Sequence, residues 1–129
     1  ADGRRFMGAT FDPSGLYRLD AALGWFEAQG LTTAMVRDHA HALQARFVLG
    51  LGAGLHGTAL DPARLVVPLA ERRRGNFLTF DLPEAEAWQA RLAAAGVVTD
   101  RRATRLRFGF GIYQTATEVD ALLDRLRRL

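Results

Sequence analysis

The spacing of apolar positions changes about halfway along the chain. In the first part Leu16, Leu19, Leu23 and Phe26 recur three and four residues apart, which lines one face of a helix. Pro13-Ser14-Gly15 predicts its start, with Ser14 as the cap, and Gly30 its end. A second helix is predicted from a cap at Thr32 or Thr33, with Val36, Ala40, Leu43 and Phe47 as its stripe. Gly50-Leu51-Gly52-Ala53-Gly54 then predicts a helix terminator and a flexible connector. A glycine-rich run cradles phosphate where it joins a strand to a helix N-terminus. This run follows a helix, so its geometry is wrong for that role.

From residue 65 the period becomes two. Leu65-Val66-Val67 and Phe77 to Phe80 are predicted strands, with a turn over Arg72 to Gly75. Asp81-Leu82-Pro83-Glu84 predicts a helix start, Asp81 as the cap and Glu84 reaching back. Ala85, Trp88, Leu92 and Ala95 would be its buried stripe, ended by Gly96. Val97 to Thr99 is predicted as a strand and Asp100 to Ala103 as a turn. Leu106, Phe108 and Phe110 alternate with Arg105, Arg107 and Gly109, giving a strand with an apolar face and a cationic face. Thr115 to Glu118 is a capping box, and Val119, Leu122, Leu123 and Leu126 turn the last helix inward. The expected fold is therefore α+β: two N-terminal helices, then a small, mainly antiparallel sheet with helices on one face. The expected division is a helical segment over residues 1–54 and an α+β domain over 55–129.

Composition narrows the chemistry. The 129 residues suit one domain, and 49% hydrophobic with 24% charged is a globular balance. There is no cysteine, which excludes disulfides, thiolate catalysis and Cys-based zinc sites. All 17 basic residues are arginine. Without lysine the chain cannot form a Schiff base to a carbonyl substrate or to pyridoxal phosphate, nor supply a Walker lysine. Arginine instead clamps carboxylates and phosphates with a planar fork. The formal charge of +3 is modest and acids are scattered among the arginines, which argues against a nucleic-acid binder. No signal peptide and no apolar run near the roughly 20 residues of a membrane span is visible, so a cytoplasmic protein off the membrane is expected.

Arg107 is the first candidate for binding. It lies on the face opposite Leu106 and Phe108, and Gly109 and Gly111 after it allow close approach of a ligand. A solvated arginine has the same spacing, and Arg105 shares the face. His39 and His41 are two apart and diverge on a helix, His56 sits in the glycine-rich loop, and no metal site is expected. Ser14, the only serine, reads as a cap rather than a nucleophile. Asp100-Arg101-Arg102 reads as a turn with a local ion pair, and Trp25 and Trp88 as packing residues. No catalytic residue is assigned.

Arg74-Gly75-Asn76-Phe77-Leu78-Thr79-Phe80, then Gly96-Val97-Val98-Thr99-Asp100-Arg101-Arg102, then Leu106-Arg107-Phe108-Gly109-Phe110-Gly111-Ile112-Tyr113-Gln114-Thr115 stand in that order. This stretch resembles the C-terminal small domain of class V aminotransferase-family pyridoxal-phosphate enzymes, with the kynureninase branch nearest in wording. Gly8-Ala9-Thr10 before a helix is similar to that family's Gly-Thr segment near the end of its large domain. Gln114 and Gly111-Ile112 depart from the desulfurase and proline forms of the last segment, which leaves the branch and the reaction open.

The resemblance implies that Arg107 binds the α-carboxylate of an amino-acid substrate and that Thr10 lies near the cofactor phosphate. It implies pyridoxal phosphate in the parent enzyme, with none bound by this chain alone. It makes residues 1–54 the end of a large domain plus an interdomain helix. The Schiff-base lysine would belong to a missing large catalytic domain. The apolar stripes of the two helices would then be uncovered and would favour a homo-oligomer. The competing expectation is a stand-alone, non-catalytic α+β module that binds a carboxylate ligand or a protein partner.

Overall fold

A computed structural model describes residues 12–54, 58–71 and 73–129. The chain divides into two compact units, residues 1–33 and 34–129. In the first, helix α1 (Ser14–Ala28) buries none of its residues. Ser14 is its first residue rather than a side-chain cap: the hydroxyl and the backbone N–H of Ser14 both donate to the Asp12 carboxylate. Gly30, at φ +65, closes the C-terminal end, as a residue without Cβ does at little cost.

The second unit opens with α2 (Thr33–Gly54), then a 3₁₀ turn at Pro62–Arg64, β1 (Phe77–Asp81), α3 (Ala85–Ala94), β2 (Asp100–Arg102), β3 (Arg105–Gly109) and α4 (Ala116–Leu126). The strands form an antiparallel sheet in the order β1-β3-β2. Side chains alternate, so Leu78 and Phe80 of β1 face the same way as Leu106 and Phe108 of β3, and all four are buried. Ala40, Leu43, Phe47 and Leu51 of α2, Ala85 and Leu92 of α3, and Val119, Leu123 and Leu126 of α4 join them in one core. Phe47 sits at its centre, 5.2 Å from the Phe108 ring and 5.6 Å from that of Phe110. The α+β class and the helices on one face are as the alternation predicts.

Several boundaries differ from the sequence reading. Residues 50–54 form no connector; they are the last turn of α2, which ends at Gly54. Gly50 lets α4 approach, since a Cβ there would lie 2.2 Å from Leu123 Cδ1. α2 thereby belongs with the sheet, and the units part at 33/34 rather than after residue 54. Leu65 to Val67 is reduced to one bridge, Leu65 to Phe80, and a Val66 N–H bond to the Thr79 carbonyl at 2.9 Å. Pro62 and Pro68 flank it and cannot donate to a ladder. Asp81 stays in β1 opposite Arg105, so α3 begins only at Ala85, capped by Glu84 without a side-chain bond. Val97 does not enter a strand because its N–H returns to the Leu92 carbonyl at 2.8 Å, with Gly96 at φ +72 closing α3. The strand starts at Asp100 instead, and Ala103-Thr104 make the hairpin turn. The box before α4 forms as predicted: Thr115 Oγ1 accepts from Glu118 N–H and the Glu118 carboxylate accepts from Thr115 N–H.

Candidate carboxylate-binding site

The face of the sheet away from the core is polar. Its rows follow from the register: Phe77 beside Gly109, then Thr79, Arg107 and Asp100, then Asp81, Arg105 and Arg102. Arg107 thus points away from the core, as alternation requires. Its side chain keeps 25% of its exposure. The guanidinium carbon lies 5.5 Å from the centre of the Phe77 ring, a cation–π position. Nη2 donates to Asp100 Oδ2 across the hairpin.

Around this group lies a cavity of about 350 Å³, lined by Phe77, Val98, Thr99, Asp100, Arg107 and Gly109. The β2–β3 ladder stops at Asp100 opposite Arg107. Phe110 N–H bonds to the Asn76 carbonyl on the β1 side, so by alternation the backbone N–H of Gly109 faces the other, open edge. A Cβ on Gly109 would meet nothing within 4 Å. Thr99 also lines the space, but its Oγ1 is fully buried without a hydrogen-bond partner and does not open onto it. A guanidinium and a backbone N–H on the open edge therefore meet at one space. Such a set fits a small anion with several oxygen acceptors.

Across Gly109 a second cavity of about 290 Å³ is floored by Phe108, Phe110 and Val119. Two of its polar acceptors are used by the fold. Gln114 Oε1 accepts from Gly111 N–H at 2.7 Å, and the Glu118 carboxylate caps α4. Gly111 serves its neighbour rather than a ligand, because a Cβ there would fall 2.6 Å from the Tyr113 ring.

Asp100 is the site residue that sequence reasoning missed. It forms no turn with Arg101 and Arg102; it is a strand residue paired with Arg107. The signal was in the turn. With Ala103-Thr104 at the hairpin tip, counting back along both strands sets Asp100 opposite Arg107. Arg101 lies on the core side, bonded to Gln89 Oε1 at 3.2 Å and 3.5 Å from Glu86. Arg105 is exposed beside Arg102 and Asp81.

The other candidates lie elsewhere. Thr10, Gly8 and His56 are outside the described residues. His39 Nε2 donates to the Gln114 carbonyl at 2.9 Å, while His41 Nε2 is buried and unpaired. Among the described residues no three His, Asp or Glu side chains gather around a common point. No described helix is long and apolar enough to cross a membrane.

A model of the kynureninase C-terminal domain matches residues 36–126. The chain belongs to this family. A search of curated proteins finds no match. The span of the kynureninase C-terminal domain opens in α2 and closes in α4, so it coincides with the second compact unit. Membership implies pyridoxal phosphate in the parent enzyme. The residues here do not fit that cofactor by themselves: the chain has no lysine to hold it as an imine. The glycine run Gly50 to Gly54 is the C-terminal end of a helix, whose dipole repels anions such as the cofactor phosphate.

Proposed function

We propose that this kynureninase C-terminal domain works as the small domain of a pyridoxal-phosphate enzyme of the class V aminotransferase family, and that Arg107 clamps the α-carboxylate of its amino-acid substrate. The observation that supports this most directly is the half-buried guanidinium of Arg107 facing a cavity of about 350 Å³ on the sheet's open face. A lysine-bearing large domain completes the enzyme, with the cofactor held there. The chain contributes recognition: it orients the substrate carboxylate and leaves the reacting amine to the partner domain.

The test is a titration of the chain with L-alanine, followed by NMR at the Arg107 side-chain N–H. Millimolar binding is expected. Arg107→Ala should weaken it about tenfold or more, the scale of a lost charge-assisted hydrogen-bond pair. Arg107→Lys should recover little, since a point charge cannot bind in a two-pronged way. Unchanged binding in Arg107→Ala would remove the clamp.

The lysine-free composition also favours a second reading, a non-catalytic module that binds a carboxylate. The coding sequence upstream of Ala1 separates the two. An open α/β frame carrying a lysine after a strand supports the enzyme. A start codon directly before Ala1 supports the module.

A further inference from the structure

Resting on that reading of Arg107, we infer that Asp100 is a positioning residue for the carboxylate clamp. An arginine side chain has several rotatable bonds, and an exposed one samples many orientations. Arg107 is held at two points. The guanidinium carbon sits over the Phe77 ring, 5.5 Å from its centre. Asp100, directly opposite on β2, takes one hydrogen of Nη2. A guanidinium presents five N–H groups in a rigid plane. A two-pronged carboxylate clamp uses two of them. The bond to Asp100, together with the Phe77 contact, restrains the guanidinium and uses one of its five N–H groups, which leaves enough for a two-donor clamp. Asp100 is 59% exposed, so water screens its charge and an incoming carboxylate is only weakly repelled. Asp100 is itself fixed by the strand: its backbone is paired with Arg107, and the ladder ends there. The acid and the clamp move as one cross-strand unit.

The sign of the effect separates this role from its opposite. If Asp100 positions the fork, deleting it loosens Arg107 and weakens ligand binding. If Asp100 is an internal competitor for the fork, deleting it strengthens binding. Asp100→Asn divides charge from geometry, because the amide oxygen still accepts from Nη2 while the negative charge is gone.

The experiment uses the full chain in two measurements. Nitrogen relaxation at Arg107 Nε, without ligand, reports whether the guanidinium is held. Titration with L-alanine reports the clamp. Asp100→Ala should make Arg107 Nε mobile on the nanosecond scale and weaken L-alanine binding about 3- to 10-fold, the range set by freeing one long side chain. Asp100→Asn should keep Nε ordered and bind L-alanine at least as well as the natural chain. Equal order at Nε in Asp100→Ala, or tighter binding by that variant, would overturn the inference. Failure of the clamp itself looks different: Arg107→Ala then binds L-alanine like the natural chain, while the relaxation measurement still decides whether Asp100 holds the guanidinium.

Discussion

Gln44 shows how one polar side chain fixes a loop beside the site. It is fully buried on α2, and both ends of its amide are used. Nε2 donates to the Gly75 carbonyl at 2.9 Å, and Oε1 accepts from Arg74 Nε at 2.8 Å. Arg74 then donates from Nη1 to the Leu69 and Glu71 carbonyls. The segment that leads into Phe77 is thus tied to the core through the Arg74 side chain. Gln44→Leu keeps the volume but strands a buried carbonyl and a guanidinium N–H. Its expected cost is about 2 kcal/mol in urea unfolding, because leaving a partner unpaired costs more than the bond contributes. A second residue-scale prediction concerns acid. The hydrogen bonds from Arg46 to both Asp120 oxygens, helped by the guanidinium's charge, hold the Asp120 carboxyl below its ordinary value. A carboxyl depressed on folding stabilises the fold above its unfolded value, and that contribution is lost as pH falls through the folded one. The fall of Tm with acid should therefore be shallower in Asp120→Asn than in the natural chain. Equal slopes would show that the exposed pair contributes nothing.

At the scale of elements, the glycines of α2 make opposing predictions within one helix. Gly52 has open space around it, so Gly52→Ala should stabilise the chain by up to about 1 kcal/mol through helix propensity alone. Gly50 meets Leu123 of α4, so Gly50→Ala should lose that gain to overpacking and come out destabilising by about 1 kcal/mol. Thermal unfolding of the two variants checks both signs. The same glycines explain what was legible in the sequence. Alternation along Leu106 to Phe110 placed β3, its buried face and Arg107, because a strand's period is fixed by its own backbone. The Thr115–Glu118 box placed α4 for a similar local reason. Where a segment's fate depends on a distant partner, local pattern fails. Gly50 to Gly54 look like a loose connector until α4 is present to pack against the last turn of α2 that they form. Val97 looks like a strand residue until its N–H is seen turned back to Leu92. Asp100 looks like a turn residue until the hairpin sets it against Arg107. Half of the candidate site could thus be read directly, and its partner only through register.

For the whole molecule, the division of apolar surface is uneven. The core cluster runs from Ala40 to Leu126, all within the second unit. In the first unit α1 buries no residue, and Leu16, Leu19 and Leu23 are more than half exposed at a spacing that makes one stripe. A stripe of this kind gains by meeting another apolar surface, and a second copy of the chain offers one of the same chemistry. Self-association through α1 is therefore expected, and light scattering at high concentration should give a mass above the 14.2 kDa of one chain. Replacing Leu16, Leu19 and Leu23 together by Gln should return the mass to one chain. The same variant should leave the unfolding of the second unit within about 0.5 kcal/mol, as surface changes away from a core do. A single-chain mass for the natural protein at every concentration would show that α1 does not self-associate. A large loss of stability in the triple variant would show instead that these leucines serve the fold of one chain.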